Sequence, residues 1–264
     1  MPFLAAAAQA LAILRLSMLR PRGRVTVFCG AGLSAPSGLS VYRGDAGAWT
    51  LSPEALASMD MRHWPASRPA AIDHLRLWRA QALACAPNAA HRALAAWKAA
   101  WPLHVDIITQ NVDGLLQRAG LADADVLEVH GSLHRMNCVD CRFEWPLPPG
   151  ADPGQPCPSC LGSMTKPSVV FFHEDAPLYP RMRALCSPET RMPSDTLLAI
   201  GTSWRVIPPA HLLATRGRVL GQQISVDLRE QPELDPWMHA QFAGDAIEGV
   251  AWAQERILRQ WRDA

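Results

Sequence analysis

The run Val25-Thr26-Val27-Phe28-Cys29 leads straight into Gly30-Ala31-Gly32-Leu33-Ser34. A β-branched run opening into a glycine-rich turn is how a parallel strand delivers backbone N–H groups to a phosphate. Strand-like runs recur at His104–Thr109, Val126–His130, Ser168–Phe172, Thr196–Ile200 and Gln223–Leu228. Helix-like stretches lie between several of them, such as Pro209–Arg216, and Ala246–Trp261 follows the last. The alternation predicts an α/β fold, a Rossmann-like doubly wound parallel sheet. Ligands of such sheets bind beyond the carboxyl ends of the strands, where Gly30, Gln110 and Gly201 stand.

The 264 residues suffice for a large core. A formal charge of +1, with 19% charged residues, argues against a basic patch for nucleic acid. No apolar run reaches the length of a membrane span. The Ala/Leu-rich segment Leu4–Leu19 lacks a basic start and is interrupted by Arg15, so it reads as an amphipathic helix rather than an export signal. Seven cysteines, an odd number, without such a signal imply a reducing, cytoplasmic setting.

Four of those cysteines form a pattern. Cys138-x-x-Cys141 and Cys157-x-x-Cys160 put two thiolates on each of two tight knuckles, which together complete a tetrahedral zinc site. Four cysteine ligands leave no open position for water, so the implied zinc is structural. The surrounding Asn137–Lys166 segment has too few apolar residues for a core of its own and needs such a staple. Cys29, Cys85 and Cys186 lack paired spacing and read as small buried hydrophobes.

Three strand-end motifs carry polar chemistry. Gly30-Ala31-Gly32 lets backbone approach a diphosphate, and Ser34 and Ser37 can cap a turn or bond a phosphate. Gln110-Asn111-Val112-Asp113 offers amides and a carboxylate at a strand-to-helix turn, although Asn111 or Asp113 could equally cap the helix Gly114–Ala119. Gly201-Thr202-Ser203 presents N–H groups and two hydroxyls. A dehydrogenase fingerprint, Gly30-x-Gly32-x-x-Ala35, is the rival reading. Pro36 and Gly38 interrupt the helix it requires, and the region of Glu54 looks helical where an acidic strand end is needed.

Taken with Glu128-Val129-His130-Gly131-Ser132-Leu133, these motifs resemble the sirtuin (Sir2-like) family of NAD-dependent protein deacylases along nearly the whole chain. The resemblance implies NAD as co-substrate, bound by Gly30, Ala31, Gly32, Ser34, Tyr42, Arg43, Gln110, Asn111, Asp113, Gly201, Thr202, Ser203, Asp227 and Ala246. It implies that Asn111 and Asp113 hold the nicotinamide amide and that His130 is the catalytic base. That base takes a ribose hydroxyl proton after an acyl-lysine oxygen has displaced nicotinamide, and O-acyl-ADP-ribose is released. Acylated-lysine peptides would pair with Val170-Phe171-Phe172-His173 by strand addition.

The implied division assigns 1–45, 98–136 and 167–264 to the NAD-binding domain. A helical insertion, 46–97, and the zinc module, 137–166, would form a smaller lobe. Ser40, Val41, His173 and Asp227 depart from the family's usual residues. The tyrosine–arginine pair of desuccinylating members is missing, the matching positions falling near Leu75 and Trp78, which implies a preference for apolar acyl groups. A mono-ADP-ribosyltransferase using the same site and a non-catalytic NAD sensor are the alternative readings.

Overall fold

The computed structural model describes residues 2–40 and 53–263. In chain order the strands are β1 (Val25–Cys29), β2 (Val105–Thr109), β3 (Val126–Glu128), β4 (Gly131–Cys138), β5 (Glu144–Pro146), β6 (Thr165–Val169), β7 (Thr196–Ile200), β8 (Gln222–Asp227) and β9 (Ala240–Ala243). The helices are α1 (Pro2–Ser17), α2 (Pro53–Ser58), α3 (Arg68–Ala84), α4 (Ala89–Ala100), α5 (Leu115–Arg118), α6 (Tyr179–Cys186) and α7 (Ala246–Asp263). Six strands form one sheet in the order β3-β2-β1-β7-β8-β9, every neighbouring pair parallel. This is the Rossmann-like sheet expected, with β1 and β7 at its centre.

Why those strands form is plain from their burial. All five residues of β1 and all five of β7 are buried, as a strand covered on both faces requires. Val25, Val27 and Cys29 face one core, which includes Leu94 and Trp97 of α4 and Ile257 of α7. Phe28 faces the other, with Met182, Leu197 and Trp204. The two-residue period of the strand thus divides one apolar run between two layers.

Several expectations need correction. The helical insertion expected to run to Trp97 ends sooner. Helix α4, capped by Asn88 at its start, packs its apolar face into the sheet core, and Trp97 Nε1 donates to Gln254 of α7 at 2.6 Å. The expected strand Ser168–Phe172 lies outside the parallel sheet: β6 starts earlier, ends at Val169, and joins a second, antiparallel sheet of order β5-β4-β6. Pro209–Arg216 yields only a single 3₁₀ turn, Pro209–His211. Cys85 is half-buried, whereas Cys29 and Cys186 are buried.

Helix α3 binds the antiparallel sheet through arginines. Arg79, buried, donates to the carbonyls of Leu133, Leu147 and Pro148. Arg68 donates to the carbonyls of Thr165 and Gly154. Backbone carbonyls from both sides of the cysteine segment are thereby fixed to one helix. Among the described residues no helix is long and apolar enough to cross a membrane.

Candidate active site

The ends of β1, β2, β7 and β8 open on a cleft of about 910 Å³. Its floor is two glycine turns pressed together. Gly30 N donates to the Ile200 carbonyl at 2.8 Å and Gly32 N to the Gly201 carbonyl at 3.0 Å. A Cβ on Gly30 would lie 2.5 Å from Gly201 O, and one on Gly32 2.5 Å from Gly201 Cα. Gly201 itself sits at φ 57°, where a side chain is strained. No larger residue fits at these three positions. Ala31, Gln110, Thr202, Ser203, Asp227 and Ala246 also line the cleft. Gln110 Nε2 donates to Thr202 Oγ1 at 3.0 Å, bridging two strand ends.

Behind this floor lies a cavity of about 40 Å³, bounded by Ala31, Ser34, Trp78, Asn111, Asp113 and Leu133. Its hydrogen bonds have only one possible direction. The N–H of Asn88 donates to His91 Nδ1, so the proton of the neutral ring sits on Nε2 and points at Ser34 Oγ, 3.3 Å away. Ser34 in turn donates to Asp113 Oδ2 at 2.7 Å, while Asp113 Oδ1 accepts from Leu115 N at 2.8 Å. Burial holds the His91 pKa down at about 4, with the Arg92 charge acting the same way, so the ring stays neutral. Burial pushes the Asp113 carboxyl up, opposed by the Leu115 N–H and the Ser34 hydroxyl.

Two expectations change here. The Ser34 side chain caps no turn; its buried hydroxyl donates to Asp113 and borders the inner cavity. Asp113 Oδ1 accepts from the first N–H of α5, and the residue also borders the inner cavity. Asn111 donates through Nδ2 to the Gly30 carbonyl at 3.0 Å, and its Oδ1 is buried without a partner. An unsatisfied buried acceptor is costly, and here it borders space a ligand can fill.

His130 stands on the opposite wall. Its Nδ1 lies 3.1 Å from the Gln110 carbonyl, which can only accept, so Nδ1 carries the proton and Nε2 the lone pair. Nε2 lies 3.0 Å from the Tyr179 hydroxyl. Burial lowers the His130 pKa, opposed by the Gln110 carbonyl.

Val170, Phe171, Phe172 and His173 line the outer cleft. Three of their N–H groups are already engaged: Val170 N donates to the His130 carbonyl, Phe171 N to Glu174 Oε2 and Phe172 N to the Met59 carbonyl. His173 occupies φ 61° and lies 3.2 Å from Asp60, which also holds Arg62. Burial raises the Asp227 carboxyl, and its Oδ1 accepts from Leu228 N. Val41, Tyr42 and Arg43 lie outside the described residues.

The cysteine knuckles converge as their spacing implies. Cys138 and Cys160 sulfurs are 3.6 Å apart, as are those of Cys141 and Cys157, and all four lie within 4.8 Å of one another. Sulfurs bound tetrahedrally at ~2.3 Å would be about 3.8 Å apart, so the set fits zinc. After each pair the chain turns through a left-handed residue, Arg142 (φ 61°) and Leu161 (φ 63°).

His91 and Tyr179 belong to this site and escape the sequence reading. For His91 a usable signal exists: asparagine three residues before a ring that can accept is a capping box. Tyr179 carries none.

A model of the Sir2 family matches residues 30–208. The chain is 38% identical over 209 residues to an NAD-dependent protein deacylase of Corynebacterium glutamicum, covering 75% of this chain and 77% of that protein. It is also 38% identical over 239 residues to NAD-dependent protein deacylase 2 of Pyrobaculum aerophilum, covering 89% and 92%. A solved Sir2 homologue mutant with ADP ribose superposes with a TM-score of 0.72 at 27% identity, over 91% of this chain and 92% of that one. A Sir2 bound to acetylated peptide gives 0.69 at 25% identity, over 92% and 96%. The parallel sheet, the cleft at its strand ends and these matches agree: the chain belongs to the Sir2 family.

Proposed function

We propose that the chain is an NAD-dependent protein-lysine deacylase that releases nicotinamide and O-acyl-ADP-ribose. The observation that carries this reading is the convergence on one cleft of a side-chain-free glycine floor, the partnerless Asn111 Oδ1 and the His130 imidazole. NAD supplies the glycosidic bond that is broken and the ribose that accepts the acyl group. Gly30, Ala31, Gly32, Gly201, Thr202 and Ser203 cradle its diphosphate and ribose, with Tyr42 and Arg43 serving the same end. Gln110 reaches the adjoining ribose. Asp227 and Ala246 stand on the adenine side, where a carboxylate accepts from ribose hydroxyls.

Asn111 and Asp113 hold the nicotinamide amide at the inner cavity. Oδ1 of Asn111 accepts an amide N–H there, which removes its burial penalty. His130 takes the ribose hydroxyl proton on Nε2, the nitrogen that carries the lone pair. The acylated peptide lies along Val170, Phe171, Phe172 and His173, meeting side chains and carbonyls. Its acyl chain runs toward Trp78, Met59 and Val112, none of which carries a charge to pair with a carboxylate. Cys138, Cys141, Cys157 and Cys160 hold a structural zinc ion. The sheet with α1, α4 and α7 is the NAD domain, and α3 with the cysteine module is the smaller lobe. Seven cysteines, none in a disulfide, suit a reducing cytoplasm.

The test is incubation with NAD and acyl-lysine peptides. Free lysine and nicotinamide are expected in equal amounts, with succinyl-lysine turned over about tenfold or more slowly than acetyl-lysine. His130→Ala should lose roughly 10²- to 10⁴-fold in turnover while still binding ADP-ribose. Label passing from NAD to protein without free lysine would replace this reading with ADP-ribosyl transfer. No nicotinamide release at all would leave an NAD sensor.

A further inference from the structure

The nitrogen that must accept the ribose proton already has a hydrogen-bond partner. Tyr179, the first residue of α6, brings its hydroxyl to 3.0 Å from His130 Nε2, with the two rings 6.0 Å apart and tilted by 47°. The Gln110 carbonyl fixes the ring proton on Nδ1, so the bond can run only one way: the phenol donates and the imidazole accepts. A neutral imidazole has a single lone pair, so Nε2 cannot accept from the phenol and the ribose at once. Both residues line the cleft.

We propose that Tyr179 is a positioning residue that holds the His130 base neutral, with its lone pair aimed into the cleft, until a ribose hydroxyl takes the place of the phenol at Nε2. The proposal rests on the assignment of His130 as the base. A bond to the lone pair favours the unprotonated ring, so the phenol lowers the basicity of the resting enzyme. It also denies that nitrogen to water. Once the ribose proton has moved to Nε2, the ring becomes a donor there, and the Tyr179 oxygen can accept from it on the way back. Burial raises the Tyr179 pKa, with Arg183 opposing, which keeps the phenol a donor in the neutral range.

The surroundings make the effect separable. Among the described residues the His130 ring bonds to the Gln110 carbonyl and the Tyr179 hydroxyl alone; burial lowers its pKa and the Gln110 carbonyl opposes that. Tyr179→Phe removes one oxygen and keeps the ring, which packs against the cluster containing Met182 and Leu234.

The decisive measurement is the His130 titration, followed by NMR with labelled histidine in the ligand-free protein, wild type against Tyr179→Phe. The pKa should rise in the variant by roughly half to one unit, the size of a net hydrogen bond to the neutral form. The acid limb of kcat/KM for NAD should move up by the same amount, since that limb reports the free enzyme. An unchanged titration in a variant that keeps its melting temperature overturns the proposal. The titration needs no turnover, so its outcome is independent of whether the chain deacylates lysine. Should the titration shift while no acyl-lysine peptide is consumed, the positioning role stands and the deacylase reading falls.

Discussion

The inner end of the cleft and the cysteine knuckles are both clusters of polar side chains, and they are satisfied by opposite means. At the inner end Asn88, His91, Ser34 and Asp113 satisfy one another in a chain of hydrogen bonds, and one acceptor, Asn111 Oδ1, remains for a ligand. At the knuckles four sulfurs crowd within 4.8 Å, met otherwise by backbone N–H groups of Phe143, Ser159, Cys160 and Gly162. Thiols are poor hydrogen-bonding groups, so only a metal turns that crowding into stability. The cleft therefore carries its order in the chain itself, whereas the module borrows its order from an ion.

The sharpest way to break this contrast is to remove the metal. Chelation, or Cys138→Ser, should take bound zinc from one per chain to none and lower the melting temperature by roughly 10 °C or more, because metal binding energy is folding energy in a segment without a core. The six-stranded sheet should persist in the far-UV spectrum. A protein that keeps its melting temperature after its zinc has gone would erase the distinction.

The cleft should respond to a single atom. Ser34→Ala deletes the donor to Asp113 Oδ2 and the acceptor facing His91. Leaving buried partners unsatisfied costs about 1–3 kcal/mol, readable by urea denaturation. Asp113 also loses a bond that favours its charged form, so its carboxyl should rise further and the onset of activity should move to higher pH.

How much of this contrast a reader of the sequence could see depends on the range of the interactions. β1 and β7 are legible to the residue because burial on both faces writes a continuous apolar run. β9, Ala-Gln-Phe-Ala at the sheet edge, is only half covered and writes no such run. β4 alternates Ser132, His134 and Arg135 among apolar neighbours and pairs antiparallel, so a search for apolar runs passes over it. The knuckles are legible because their ligands come in local pairs. In the cleft the strand-end residues Gly30, Asn111, Asp113 and His130 are legible for the same reason. His91 meets Ser34 across 57 positions and Tyr179 meets His130 across 49. Their roles exist only after folding.

A smaller effect sharpens the account of the hydrogen-bonded end. The His91 imidazole has its pKa lowered to about 4 by burial, so unfolded chains take up a proton below pH 6.5 that the folded ring refuses. Its contribution is intact above pH 6.5 and drains away as the pH falls toward 4, by up to about 3 kcal/mol. His91→Gln should flatten that part of the stability profile. Asp113, raised by burial, works in the other direction, lending stability at low pH that is lost as the pH climbs through its raised value.

The smallest expected effect lies in the knuckles, and it separates what the ion supplies from what the backbone withholds. Arg142 and Leu161 follow the second cysteine of each pair with φ of 61° and 63°, a region that side chains other than asparagine, aspartate and glycine enter at a cost. The geometry is enforced from both sides, since Arg142 N donates to the Cys138 carbonyl and Leu161 N to the Cys157 carbonyl, each at 2.9 Å. Leu161 is also 80% exposed, so its side chain contributes little packing in return. Leu161→Asn should therefore raise stability by about 0.5–1 kcal/mol, a few degrees at most in melting temperature, with the zinc content unchanged. Arg142→Asn, at the equivalent turn, should shift the melting temperature by the same amount. Equal gains would show that the two knuckles carry the same backbone strain against the same ion. A gain at one and a loss at the other would mean that side-chain contacts, rather than the left-handed turn, set the stability of the module.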